Sequence, residues 1–343
     1  MKKDMNQMLV EITVRRTLEQ IKASPERAVR NLIDLGLEFS DGRFQKQLLE
    51  TLQEMLRSRN SAYYTLVRNV IDSVTQERLT VFGVNLGYKG CTEGARIIRE
   101  TEAERGFNIP WSLFLEINGE KLAAQPDFYP GLLRQGLSLG INVYLLSTPE
   151  DPAKLVPLIQ ARPECAFVIF LRGRRITASF LEKMQDVQNV MFSVYDDADM
   201  PAACRQLRDA KQLYAVHLPY TLQDKERILN GQWLGSLIPV KPAFVILRTD
   251  EHDAHQLNQD IYDYVVSVRG SQRYPFVLLD MKYDILAIDR IISNGECAAG
   301  FDMHGSLRTH EGLIKGAQYN IFNNSLETVL SRLEDSRSQR PAE

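Results

Sequence analysis

Cysteine is scarce in this sequence and is not grouped. Cys91, Cys165, Cys204 and Cys297 are the only four, and no two of them form a C-x-x-C pair. Such spacing excludes a zinc ribbon or a thioredoxin-like motif and describes isolated, reduced thiols of a cytoplasmic protein. An excess of one charge is also lacking. Lys and Arg number 41 against 44 Asp and Glu, leaving a net charge of −3 and a pI near 6.1. That balance offers no field to attract nucleic acid or an anionic membrane. No apolar run approaches the roughly 20 residues that a membrane span requires. The opening MKKDMNQMLVEITVRRTLEQ is basic but holds no continuous apolar stretch, so no signal peptide is expected. Glycine loops of Walker or Rossmann type and an H-E-x-x-H helix are missing.

What is present suits an ordinary globular protein. With 44% hydrophobic and 25% charged residues among 343, there is enough apolar material for about two domains. Residues 1–105 read as helices. Met5–Lys22 places Met8, Leu9, Ile12, Leu18 and Ile21 near one face. Ser24-Pro25-Glu26 is a helix start, with serine as N-cap and proline in the first turn. Phe44–Leu56 and Tyr63–Val74 repeat the pattern, and Thr92-Glu93 opens a further helix that Gly106 stops.

From Trp111 the period changes. Apolar runs recur at Trp111–Ile117, Ile141–Leu146, Ala166–Leu171, Val190–Val194, Leu213–Leu218, Ala243–Leu247 and Phe276–Leu279. Amphipathic stretches such as Ala178–Met184, Ala202–Leu207 and Leu257–Val266 separate most of them. Alternating strand and helix argue for a parallel sheet, closed or partial, with its chemistry at the carboxyl ends of the strands. Gly300–Thr309 reads as a hairpin turning at His304-Gly305, and Ser325–Leu333 as a capped final helix.

Three segments, GFNIPWSLFLEIN, LLRQGLSLGINVYLLSTPEDP and GECAAGFDMHGSLRTHE…YNIFNNSLETVL, resemble those of a group of bacterial radical S-adenosylmethionine (radical SAM) proteins. The resemblance runs over nearly the whole chain. It implies an α/β fold, a partial (β/α) TIM-like barrel of radical SAM type with an all-helical N-terminal domain. Residues 1–105 would be that domain and 106–290 the barrel. Residues 291–343 would be a C-terminal hairpin and helix, the SPASM-like remnant of an auxiliary cluster region. In the family, a C-x3-C-x2-C loop after the first strand supplies the thiolates of a [4Fe–4S] cluster. Here those positions fall at about Lys121, Gln125 and Phe128, and no cysteine lies between Cys91 and Cys165. The family's Gly-Gly-Glu-Pro turn, which holds the SAM amino group, is replaced by Ser147-Thr148-Pro149-Glu150-Asp151-Pro152. Near the C-terminus Cys297 matches one auxiliary ligand, while His310 stands where a partner is expected.

Several residues are candidates for a site. Asn118, Glu120 and Lys121 occupy the loop where a cluster would sit, and Lys121 could supply a fixed charge there or bind an anion. A solvated polar loop is the plain alternative. Arg172, Arg174 and Arg175 follow the third strand run, with Gly173 permitting close backbone approach, and guanidinium forks suit phosphate or carboxylate. Lys282, beside Asp280 near the last strand of the barrel, could form a Schiff base if buried. Cys297, His304 and His310 have donor atoms suited to a metal but lack the usual C-x2-4-C half. His252 and His255 read as an exposed turn, and Asn323-Asn324-Ser325 as a helix cap.

Without the three thiolates, reductive cleavage of SAM has no electron source, because the cofactor carries that chemistry. The expectation is therefore a radical-SAM-like pseudoenzyme with neither SAM nor an iron–sulfur cluster. It would bind, scaffold or regulate a partner such as a true radical SAM enzyme, or take a peptide or a small anionic ligand. The alternatives are a barrel enzyme using acid–base or lysine chemistry through Lys121, Glu150, Arg172, Asp280 or Lys282, and a SAM-binding protein with unrecognised cluster ligation.

Overall fold

The computed structural model describes residues 5–21, 27, 30–31, 33–34, 37, 43–55, 58, 60–249 and 254–338. The helix start expected at Ser24-Pro25-Glu26, and His252, lie outside the described residues. Among the described residues there are ten strands: β1 (Ser112–Glu116), β2 (Val143–Ser147), β3 (Ala166–Leu171), β4 (Val190–Tyr195), β5 (Leu213–Tyr220), β6 (Phe244–Thr249), β7 (Val277–Asp280), β8 (Ala299–Phe301), β9 (Leu307–Thr309) and β10 (Gly312–Leu313). They hydrogen-bond in the order β10-β9-β8-β1-β2-β3-β4-β5-β6-β7. The pairs β1–β2, β1–β8, β4–β5, β5–β6 and β6–β7 are parallel, whereas β9 runs antiparallel to both β8 and β10. Every apolar run expected as a strand is one, to within one or two residues at its ends. β3, apolar throughout, is buried at all six positions.

The chain divides into two compact units, Met1–Val84 with Phe170–Asp284, and Asn85–Ile169 with Ile285–Glu343. In the first, the helices Met5–Ile21, Arg43–Met55, Tyr63–Ser73 and Gln76–Val84 precede β4–β7. Ile21, Ile33, Tyr63 and Tyr64 form a small core, against which Leu18, Leu49, Leu66 and the β7 residue Val277 pack. The apolar face expected along the first helix is buried only at its C-terminal end. Met8, Leu9 and Ile12 are exposed, because the packing partners meet the helix near Leu18 and Ile21. Buried Arg78 ties the helical segment to the α/β part by donating to the Met184 carbonyl at 3.3 Å and to that of Gln185.

In the second unit, Thr92-Glu93 does not open a helix. These residues belong to a π-helix, Asn85–Gly94, that runs directly into the helix Ala95–Arg105. The wide turn accompanies a close backbone crossing: a Cβ on Gly140 (φ +93°) would lie 2.6 Å from the Gly94 carbonyl oxygen. Gly106, at φ +74°, ends the following helix as expected. The late hairpin turns at Asp302–Ser306, where Asp302 Oδ1 accepts the N–H groups of His304 and Ser306, both at 2.9 Å. Ser325 caps the last helix, Leu326–Ser338, by accepting the Thr328 N–H at 3.1 Å.

Candidate functional site

The loops at the carboxyl ends of β1, β2 and β8 meet in the second unit. Asn118 ends β1 and opens the short helix Gly119–Ala124, its Oδ1 accepting the Lys121 N–H at 2.8 Å. The Asn118 Nδ2 donates to the Met303 carbonyl at 2.9 Å, joining this loop to the one after β8. Its backbone N–H donates to the Tyr129 hydroxyl oxygen at 2.9 Å. From the β2 loop the Glu150 carboxylate lies directly against Gly119 and pairs with Lys154. Lys121 Nζ sits between two aromatic faces, 4.8 Å from the Phe128 centroid and 4.7 Å from that of Phe322. Those two rings meet edge to face at 5.3 Å. Sequence reasoning missed Phe322, which stands about 200 residues away in the chain.

Carboxylate, amide and ammonium groups here satisfy one another. None of residues 118–128 is cysteine, so the loop has no thiolate to offer and does not fit a [4Fe–4S] cluster. The four cysteines are all buried. Burial pushes the thiols of Cys91 and Cys204 up to about 12, and that of Cys165 upward as well. Cys297 donates to Ser293 Oγ at 3.3 Å, His304 is exposed on the hairpin turn, and His310 Nε2 lies 3.9 Å from Glu296. Among the described residues no three His, Cys, Asp or Glu side chains gather as a metal site would require.

In the first unit the register of β4–β7 sorts side chains onto two faces. Tyr220 and Asp280 lie on the face that packs on the helix His255–Ser271, where the Tyr220 hydroxyl donates to Asn258 Oδ1 at 3.1 Å and approaches Asp280 at 3.5 Å. Asp280 Oδ1 accepts the Tyr283 N–H at 2.9 Å, capping the helix Met281–Ile292. Burial, opposed by that hydrogen bond and reinforced by nearby Asp284, raises the Asp280 carboxyl to about 6. Lys282 is half-buried, its Nζ 5.7 Å from the Tyr283 centroid. His255 is exposed at its helix start.

The opposite face carries a histidine that sequence reasoning passed over. His217, on β5, is 5% exposed, and its Nδ1 lies 3.1 Å from Ser193 Oγ on β4. The rings of Phe170 and Tyr195 stand at 5.0 and 5.6 Å. Burial, with the positive charges of Arg248 and Arg172 and against a hydrogen bond from the ring to the Ser193 backbone, pushes the imidazole down to about 3, so it is neutral. Arg172 stacks on Tyr195 at 4.6 Å and lies 3.9 Å from Asp197. Arg174 is exposed, and Gly173 packs on the Asp199 backbone as its lack of a side chain allows. A polar residue inside an apolar run, His217 in LYAVHLPY and Ser193 in VMFSVY, was the available signal. The ligand candidate Arg172 thus lies near His217, whereas the catalytic candidate Asp280 lies on the other face.

Structural comparison places the fold. The chain superposes on SuiB of Streptococcus suis bound to the precursor peptide SuiA, with TM-score 0.51, 12% identity and 73% of this chain covering 72% of that one. For SuiB bound to S-adenosylmethionine the TM-score is 0.50 at 11% identity, with 73% of this chain and 71% of that one covered. The fold is radical-SAM-like. It is the α/β partial-barrel class that the strand pattern led us to expect. No family model matches the sequence, and no curated protein does. Among the described residues no helix is long and apolar enough to cross a membrane.

Proposed function

We propose that this chain is a radical-SAM-like pseudoenzyme, without a [4Fe–4S] cluster, that works as a binding, scaffolding or regulatory partner. In this reading residues 1–105 are its helical N-terminal domain, 106–290 the barrel, and 291–343 the remnant of an auxiliary cluster region. One observation carries it. Lys121 and Phe128, at two of the three positions where the resemblance puts thiolates, touch each other and are joined by Phe322. A loop that once gripped iron would here be closed by its own side chains. The SuiB structure with a precursor peptide bound supports a peptide or protein as the natural partner class, with a small anionic ligand as the other. SAM would have neither its Gly-Gly-Glu-Pro turn nor an iron to approach.

Anaerobic iron and sulfide reconstitution, read by UV-visible and EPR spectroscopy, tests this. The expected result is no stoichiometric [4Fe–4S] signal and no SAM cleavage. A full complement of cluster with SAM turnover would overturn the reading. An acid–base enzyme has one observation in its favour, the raised carboxyl of Asp280. That group, however, serves as a helix cap beneath a covering helix.

A further inference from the structure

We infer that Asp280 is a proton-operated latch for the helix His255–Ser271. With a proton on its carboxyl group, the Tyr220 hydroxyl donates to Asn258 and ties the helix to the sheet. Without one, the hydroxyl turns to the carboxylate and that tie is lost. The device is separate from the binding role proposed above.

Its parts stand at the ends of three strands. Tyr220 closes β5, Thr249 closes β6 and Asp280 closes β7. Tyr220, Asn258 and Asp280 are all fully buried. The Tyr220 oxygen lies 3.1 Å from Asn258 Oδ1 and 3.5 Å from Asp280 Oδ2, and it takes a hydrogen bond from Thr249. A phenol has one hydrogen to give, so it cannot serve both acceptors fully. An ionised carboxylate is the stronger acceptor and draws that hydrogen away from Asn258. A protonated carboxyl group instead donates to the Tyr220 oxygen and leaves the phenol hydrogen on Asn258.

The groups facing Asp280 place this choice near neutrality. On its own helix, Asp284 repels a carboxylate, and Lys282 leans on the Tyr283 ring. From His255–Ser271, Arg269 is engaged with Asp284 through two hydrogen bonds, at 2.8 and 3.0 Å, and the Tyr262 hydroxyl lies 3.5 Å from Asp284. β5 supplies Tyr220. Burial and Asp284 outweigh the N–H groups of Tyr283 and Lys282, which favour the ionised form, so the carboxyl titrates at about 6. Mild acid therefore closes the latch. The Arg269–Asp284 pair holds the other end of the helix in either state.

A double-mutant cycle on the full-length protein tests this. Tyr220→Phe, Asn258→Leu and the double variant are compared by urea unfolding at about pH 5 and about pH 7.5, either side of the titration. At the acid pH the pair should be coupled by about tenfold in the unfolding equilibrium, the effect of one buried hydrogen bond. At the higher pH the coupling should vanish. In an Asp280→Asn background, where the amide always donates, it should persist at both. A second measurement does not depend on stability. NMR of tyrosine labelled with 13C at Cζ, with Tyr220 assigned by its loss in Tyr220→Phe, should show its signal move between the two pH values in wild type and stay fixed in Asp280→Asn. Coupling equal at both pH values, coupling stronger at the higher one, a pH dependence that survives Asp280→Asn, or a Tyr220 signal indifferent to pH would each overturn the latch.

Discussion

The ammonium of Lys121 lies 4.7 Å from the ring centroid of Phe322, linking the loop after the first strand to a segment near the end of the chain. Cation–π contacts of this kind contribute about 0.5–2 kcal/mol each, depending on desolvation. Lys121→Met and Phe322→Leu should each destabilise the protein by roughly 1 kcal/mol. The double variant should cost less than the sum. Urea unfolding of the four proteins measures the coupling, and strict additivity would show that the contact carries no energy.

Asp280 should make the protein less stable as pH rises. Its carboxyl goes from the ordinary 3.8 to about 6 on folding, so the folded state holds the proton more tightly. The favourable contribution is complete below the unfolded value and fades as pH climbs through the folded one. Asp280→Asn keeps a cap for the helix Met281–Ile292 and removes the titration. Its stability relative to wild type should increase across that window, by up to about 3 kcal/mol. A parallel pair of stability–pH curves would refute the assignment.

His217 acts in the opposite sense. Its imidazole goes from 6.5 down to about 3, so the unfolded chain binds the proton first and stability falls as pH drops below 6.5. His217→Gln should therefore lose less stability on acidification than wild type. In ligand-free protein the His217 ring signals should stay those of neutral imidazole at pH 5. Ordinary titration near neutrality would contradict the burial described.

Gly173 and Gly119 make a contrast. A Cβ at Gly173 would stand 2.8 Å from the backbone carbonyl carbon of Asp199, which cannot move alone, whereas at Gly119 it meets the flexible Glu150 carboxylate. Gly173→Ala should cost about 1–3 kcal/mol. Gly119→Ala should cost less, with the Glu150–Lys154 pair displaced. Denaturant midpoints rank the two.

All four cysteines are buried, and a thiol reacts as thiolate only when exposed and ionised. Ellman's reagent should label none of them in native protein at neutral pH and four in denaturant. Fast native labelling of any one would contradict its burial.

The strands were legible because a buried parallel sheet leaves continuous apolar runs, as in AFVIFL at β3. The helices Ala95–Arg105 and Leu326–Ser338 were legible at the ends that Gly106 and Ser325 mark. The π-helix Asn85–Gly94 was not, since it accompanies the crossing of Gly94 on Gly140, two residues from separate elements. Nor was the exposure of Met8, Leu9 and Ile12, because periodicity reports a face but not whether anything covers it.

Residue order alone determined that the loop after β1 carries no cysteine, because residue type is read directly from the sequence. It also determined an α/β fold, because burial on both sides of a strand selects apolar residues one after another. Tertiary structure alone decided which polar groups meet: Lys121 with Phe322, His217 with Ser193, Tyr220 with Asn258 and Asp280. Such pairings depend on register and crossover between distant strands, and a single polar letter in an apolar run does not say which neighbour will satisfy it.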